Sequence, residues 1–270
     1  MKTSSVVRAA VLAAGVASIG GLAQAQDYNI NLIANPGAEE GPASPNGNTI
    51  VMIPNWDTLD DGFTVVAYGT AGFPAAFSGS GQKFFVGGNN AQFSTASQTI
   101  DLTPLAQGLD TGAVTFQLAA DLGGAGNQDD NASITLLWAD GAGNSIGTSG
   151  LQGPLAGERG NQTKLLHRMT MGTVPAGARS VTLVLFMARN VGPFNDASAD
   201  NVSLVLSRPP CNPDINDDGV ADQGDVDYLI NVIAGGGNPN NADPDFNNDG
   251  VGDQGDVDAL INVIAGGACP

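Results

Sequence analysis

The residues best placed to do chemistry lie near the end of the chain. The acidic dodecapeptide DINDDGVADQGD, from Asp214, returns 31 residues later as DFNNDGVGDQGD, from Asp245. Counted from the first Asp of each copy, oxygen-bearing side chains stand at positions 1, 3, 5, 9 and 12. They are Asp214, Asn216, Asp218, Asp222 and Asp225, then Asp245, Asn247, Asp249, Asp253 and Asp256. Position 6 is glycine in both copies, Gly219 and Gly250. Oxygens at this spacing, with the backbone carbonyl of position 7 (Val220, Val251) and a glycine for the sharp turn, wrap one hard cation of the calcium type. In many such loops position 9 acts through water. The expected chemistry is calcium binding, twice over, with calcium the one cofactor implied.

Charge gives a reason for the metal. From Cys211 to Pro270 there are twelve Asp and no Glu, Lys or Arg, in a chain with 27 acidic residues and a net charge of -18. Such a block repels itself into disorder unless something neutralises it. The same charge argues against nucleic acid or an anionic membrane surface as a partner, since neither gains from meeting an acidic face. Cys211 and Cys269, the two cysteines of the chain, bracket the block. In an exported protein they are expected to pair, closing a loop worth roughly 4 kcal/mol in the chain-entropy account.

The elements that must position these loops are legible beside them. After each loop, DVDYLINVIAGG and DVDALINVIAGG carry apolar residues at i, i+3, i+4 and i+7: Val226, Leu229, Ile230 and Ile233, then Val257, Leu260, Ile261 and Ile264. That period predicts one short helix per repeat, stopped by Gly235-Gly236 and Gly266-Gly267. The residues before each loop are rich in Pro and Gly and cannot form an entering helix. Each repeat is therefore loop plus exit helix, and the two apolar stripes are expected to bury each other.

On these residues, the segment from Cys211 onward resembles the dockerin domain, whose two F-hand repeats bind calcium and dock onto cohesin domains in polysaccharide-degrading complexes. The resemblance includes Asp, not Glu, at position 12. It implies a small α-helical module over residues 208–270, with the ten side chains above as calcium ligands and Val220 and Val251 supplying carbonyls. It also implies a cohesin-like protein as partner, read through positions 10 and 11, here Gln223-Gly224 and Gln254-Gly255. Those pairs are the same in both repeats, as a two-fold symmetric plug requires. Gly departs from the hydroxyl or aliphatic residue often found there.

At the other end, Lys2 and Arg8 precede a short apolar run and Ala23-Gln24-Ala25, the pattern of a secretory signal peptide over residues 1–25. No later stretch has the ~20 apolar residues of a membrane span, so a secreted or cell-surface location is expected. Between 26 and 207 the chain is mainly β. FTVVAY, AVTFQLAA, ASITLLWA, SVTLVLFM and DNVSLVL are short alternating or apolar runs between Gly, Asn and Asp clusters, which argues a β-sandwich. In the second run Val114, Phe116 and Leu118 point inward and Thr115 and Gln117 outward. NLIANPGAEEG, IPNWDT, TVPAGARSVTLVL and ADNVSLVL look like the galactose-binding-like jelly rolls that include many carbohydrate-binding modules. By that resemblance Glu39 and Asp200 meet at a structural calcium, and the ligand is a polysaccharide.

Sugar recognition needs aromatic faces and a few polar groups. Trp138, in phase with Ile134 and Leu136, and Trp56 are expected in the core, whereas Tyr68, Phe73 and Phe77 offer a loop platform. His167, the one histidine, excludes a multi-histidine zinc site; in phase with Leu165, Met169 and Met171, it is expected on a core or sheet face. A carboxylate pair from Asp57, Asp60, Asp61, Asp121, Asp129 and Asp130 would suffice for a small glycoside hydrolase, and DLGGAGNQDDN, from Asp121, reads as a flexible loop. The economical expectation is a secreted, non-catalytic protein: a jelly-roll sandwich for glycan, then a calcium-dependent dockerin-like tail. A structural or adhesive surface protein is the rival.

Overall fold

The computed structural model describes residues 23–24, 28–59, 62–208, 211–247, 249–267 and 269–270. Among these residues, eleven strands, a 3-10 turn at Thr103–Leu105, a short helix and two tail helices are set in chain order. The strands are β1 (Ala23–Gln24), β2 (Asp57–Thr58), β3 (Thr64–Ala67), β4 (Lys83–Asn89), β5 (Phe93–Asp101), β6 (Thr115–Gly124), β7 (Asn131–Ala139), β8 (Ser145–Gln152), β9 (Lys164–Thr173), β10 (Ser180–Ala188) and β11 (Phe194–Ser207). The helices are α1 (Ala106–Asp110), α2 (Gln223–Ile233) and α3 (Gln254–Ile264). The signal sequence expected over 1–25 falls almost wholly outside the described residues.

The strands form two sheets. One runs β1-β5-β10-β7-β8 with β2 on β5; the other runs β3-β4-β11-β6-β9. Pairing is antiparallel except for the two-residue β1. From β4 to β7 the chain alternates between the sheets, and it does so again from β8 to β11, which makes a jelly-roll-like β-sandwich. Alternation along the strands explains the core. Val114, Phe116 and Leu118 are buried while Thr115 and Gln117 are exposed, as the period of two dictates. Trp138 is buried and tilts against Phe116, and Trp56 is buried with its indole edge on Phe85 at 5.0 Å and its Nε1–H donating to the Asn35 carbonyl at 3.1 Å.

Of the longer strands, β4, β5 and β8 escaped the sequence pattern, and β9 showed only in the phase of His167 with Leu165, Met169 and Met171. Their sequences, such as SIGTSGLQ and KLLHRMTMGT, are rich in Gly, Ser and Thr or apolar on both faces. Their neighbours in the sheet, more than their own residues, hold them extended. Likewise Asp121 to Gly124, expected in a loop, completes β6.

The tail has its own small core: Val226, Leu229, Phe246, Val257 and Leu260. The two expected helices form, each opened by a capping box, Asp222 with Asp225 and Asp253 with Asp256. Gly235 and Gly266 end them at positive φ. One expectation fails: Ile230 and Ile261 stay 48% and 47% exposed instead of joining the buried stripe. A two-helix contact covers a narrower arc than the stripe spans, so its outer edge remains in solvent. Cys211 and Cys269 form the expected disulfide. Arg208 lies over the Tyr28 ring at 4.6 Å and donates to the Pro270 carbonyl at 2.8 Å, joining sandwich and tail.

Candidate functional sites

The outer face of the five-stranded sheet gathers the polar groups. Asp200 of β11 pairs in register with Asp121 of β6, and Asp121 with His167 of β9, so three strands place three titratable side chains in one row. A hydrogen-bond chain runs along it. His167 Nδ1 lies 3.2 Å from Asp121 Oδ1, and Asn201 Nδ2 donates to Asp121 Oδ2 at 2.8 Å. The Asn201 backbone N–H donates to Asp200 Oδ1 at 2.7 Å, and Tyr68 OH to Asp200 Oδ2 at 2.7 Å. Asn201 reaches both carboxylates because β11 shifts register between Asp200 and Ser203, with Asn201 at φ 50°. Asn tolerates that left-handed conformation better than other side chains.

Asp200 is fully buried. Desolvation pushes its pKa up to about 7, against the bonds from Tyr68 and Asn201 and helped by the charges of Asp121 and Glu39. Desolvation and the bond to Asp200 raise Tyr68 in turn.

Beside the polar row lies an aromatic patch. The segment between β3 and β4 folds over the sheet, bringing Phe73 and Phe77 to Tyr68 and Phe84. Tyr68 sits 4.6 Å from Phe84 and 6.2 Å, edge-on, from Phe77; Phe73 lies 5.6 Å from Phe194. Tyr68, Phe73 and Phe77, expected as a loop platform, are thus contiguous, and Phe77 is exposed.

Glu39 and Asp200 flank Gly37, where a Cβ would stand 3.0 Å from Asp200 Oδ1 and 3.8 Å from Glu39 Cγ. Each carboxylate has protein donors: Glu39 Oε1 accepts from the N–H groups of Gln82 and Lys83 at 2.8 and 3.0 Å. Among the described residues no three His, Cys, Asp or Glu converge on one point as a formed metal cluster. Of the acids weighed for a hydrolase, Asp60 and Asp61 lie outside the described residues. Asp57 is on the other sheet from Asp121, and buried Asp130 accepts the N–H groups of Asn190, Val191 and Asp196.

The two tail loops share one hydrogen-bond pattern. Asp214 accepts from the N–H of Asp218 and of Gly219 at 3.1 and 2.9 Å; Asp245 accepts from Asp249 and Gly250 at 2.8 and 2.9 Å. Position 12 ties the loop to its helix. Asp225 accepts from Asn216 and Asp222 at 3.0 and 2.8 Å, Asp256 from Asn247 and Asp253 at 2.8 and 2.7 Å, and both carboxylates are buried. Gly219 and Gly250 have φ of 93° and 91°, the turn for which position 6 needs glycine. Asn216 and Asn247 direct their amides to Asp218 and Asp249, and Asp222 and Asp253 cap the helices. Val220 and Val251 are exposed at position 7. Gln223 and Gln254 each donate to the Asp four residues on, Asp227 and Asp258, at 3.1 Å; Gly224 and Gly255 follow in the same first turn.

A cleft of about 770 Å³ separates sandwich from tail, bordered by Tyr28, Val114, Arg208, Ile215, Asp245 and Phe246. Arg159 is a feature that sequence reasoning missed. Fully buried, its guanidinium donates to the carbonyls of Gly124, Gly126, Gln128 and Gln162. It lies in LAGERGNQTK, which has no periodicity to mark it.

No protein-family profile matches the chain, and no curated protein matches it. Among solved structures, a family 16 carbohydrate binding module-2 is 20% identical with a TM-score of 0.43, over 65% of this chain and 99% of that one. A cyclase from Fischerella sp. TAU is 16% identical with a TM-score of 0.44, over 65% and 96%. The enzymatically active domain of bacteriophage CBA120 tailspike protein 4 is 18% identical with a TM-score of 0.41, over 66% of this chain; the chain spans only 22% of that structure. At these scores the likenesses carry nothing about function.

Proposed function

We propose that this chain is an exported, non-catalytic binding protein. Its sandwich takes a polysaccharide on the outer face of the five-stranded sheet, and its tail is a calcium-dependent docking module of the dockerin type. The observation that carries the first part is the joining, on one face of the sheet, of the Tyr68, Phe73 and Phe77 patch to exposed His167 and to Asn201, both held by buried Asp121. Aromatic faces stack on sugar rings while fixed polar groups take hydroxyls. A binding role fits better than hydrolysis because Asp200, the carboxyl that holds its proton nearest neutrality, is buried away from any glycosidic oxygen.

The tail loops fit calcium by their donor set. Each offers five oxygen-bearing side chains and an exposed position-7 residue, and no Lys or Arg between Cys211 and Pro270 balances the buried Asp225 and Asp256. Asp214, Asn216, Asp218, Asp222 and Asp225, and their counterparts from Asp245 to Asp256, would hold one ion each, neutralising charge that otherwise opposes folding. The partner, a cohesin-like protein, would meet the duplicated Gln223-Gly224 and Gln254-Gly255 turns.

The test uses the full chain on a panel of soluble oligosaccharides, beside Phe77→Ala and with reducing-sugar release followed in parallel. Saturable binding without turnover, weakened at least about tenfold by Phe77→Ala (about 1.4 kcal/mol), is expected. Sugar release would move the protein to the hydrolases, and neither binding nor release would leave a calcium-stabilised structural or adhesive role.

A further inference from the structure

The edge strand β9 carries, beside the His167 of the polar row, two thioethers that the glycan reading does not use. Its outward row, set by the period of two, reads Leu165, His167, Met169 and Met171. Methionine favours the interior, yet Met169 and Met171 are 51% and 64% exposed and the His167 side chain 65% exposed. Opposite Met169 on β6 stands the small, buried Ala119.

The second observation is the orientation of the imidazole. His167 Nδ1 faces Asp121 Oδ1, and Asp121 is itself fixed through Oδ2 by Asn201. With Nδ1 turned to the carboxylate, Nε2 is the ring nitrogen directed away from Asp121, on a largely exposed side chain. A histidine whose other nitrogen is held by a carboxylate is the usual outer-shell arrangement of a metal ligand.

We propose that His167 and Met169, with Met171 the next thioether on the same face, bind a soft monovalent cation, Cu(I). Alternate residues of a strand stand about 6.6 Å apart, and a methionine with three rotatable bonds swings its sulfur across that gap. Imidazole and thioether donors select Cu(I), whereas the oxygen donors of the tail loops suit calcium. The two chemistries are thus separated within one chain, and this site stands whether or not the sheet face binds glycan.

The test is competition for Cu(I) between the full chain and a chromogenic Cu(I) chelator under reducing conditions, with excess calcium present. Methionine methyl NMR signals are followed in the same samples. Expected is transfer of one Cu(I) per chain, with the Met169 and Met171 methyl signals shifted and that of buried Met187 unmoved. Met169→Leu with Met171→Leu, a volume-conserving pair at exposed positions, abolishes transfer while the circular dichroism stays unchanged. Asp121→Asn weakens binding by about 10–100-fold. Absence of transfer to the wild type overturns the proposal, and so does transfer that the double methionine variant retains.

Discussion

Replacing Arg159 by Met tests how the sandwich closes over its β6–β7 connection. The guanidinium donates to the carbonyls of Gly124, Gly126, Gln128 and Gln162 at 2.7, 3.2, 2.5 and 2.7 Å. Burial pulls its pKa down, opposed by the charges of Asp129, Asp130 and Asp196. Charge-assisted bonds contribute about 1.5–3 kcal/mol each, so four would total about 6–12 kcal/mol before the cost of burying the ion. That cost is several kcal/mol. Removing one partner of a buried charged group costs about 3–5 kcal/mol, because the others are left unpaired. Met fills most of the volume, so the loss reports the carbonyls and carboxylates and not a cavity. Urea unfolding followed by tryptophan fluorescence, which reads Trp56 and Trp138 in the sandwich core, should show a loss of about 3–5 kcal/mol. A loss below about 1 kcal/mol, the scale of an ordinary surface substitution, would refute the assignment of Arg159 as the internal counter-ion of these loops.

Two further outcomes follow from the same physics. Asp196 has its pKa raised from 3.8 to about 6 by desolvation and then by Asp130, with Arg159 opposing. The folded state therefore binds this proton more tightly than the unfolded one. The resulting stability is fully present below about pH 3.8 and is lost as pH rises through about 6. Urea midpoints of wild type relative to Asp196→Asn should accordingly fall across that window and level off above it, and a relative stability that rises there would contradict the burial argument. In the tail, free calcium at about 100 times its Kd should add about 2.7 kcal/mol per site. Chelator, or Asp225→Asn with Asp256→Asn, should lower the melting of residues 211–270 and leave the sandwich transition in place. A tail that melts alike with and without calcium would dismiss the loops as metal sites.

Some parts of the fold were legible and others were not, for identifiable reasons. The strands in the runs from Ala132, Ser180 and Asp200 declared themselves because each alternates with one face in the core, and the one from Ala113 because its opening residues do. Strands β4, β5 and β8 did not, since Gly, Ser and Thr carry little pattern and their extended form comes from the neighbours they pair with, and β9 showed only in the shared phase of Leu165, His167, Met169 and Met171. The helices α2 and α3 were visible in the period of their apolar residues, but the exposure of Ile230 and Ile261 was not. That depends on how wide an arc the partner helix covers.

The sequence by itself determined what is local. The twelve-residue spacing of oxygens, the glycine of the turn, the capping Asp and the helix that follows all lie within one short stretch of chain, so residue order alone fixes their geometry. The pairing of Cys211 with Cys269 was expected from the sequence, and the structure shows it. Only tertiary structure could join Tyr68 to Asp200, 132 residues away, or set Asp121 between Asp200 and His167. Those contacts depend on strand register, where a slip of one residue sends every side chain to the opposite face. Register is set by packing of the whole sandwich, and no stretch of sequence contains it.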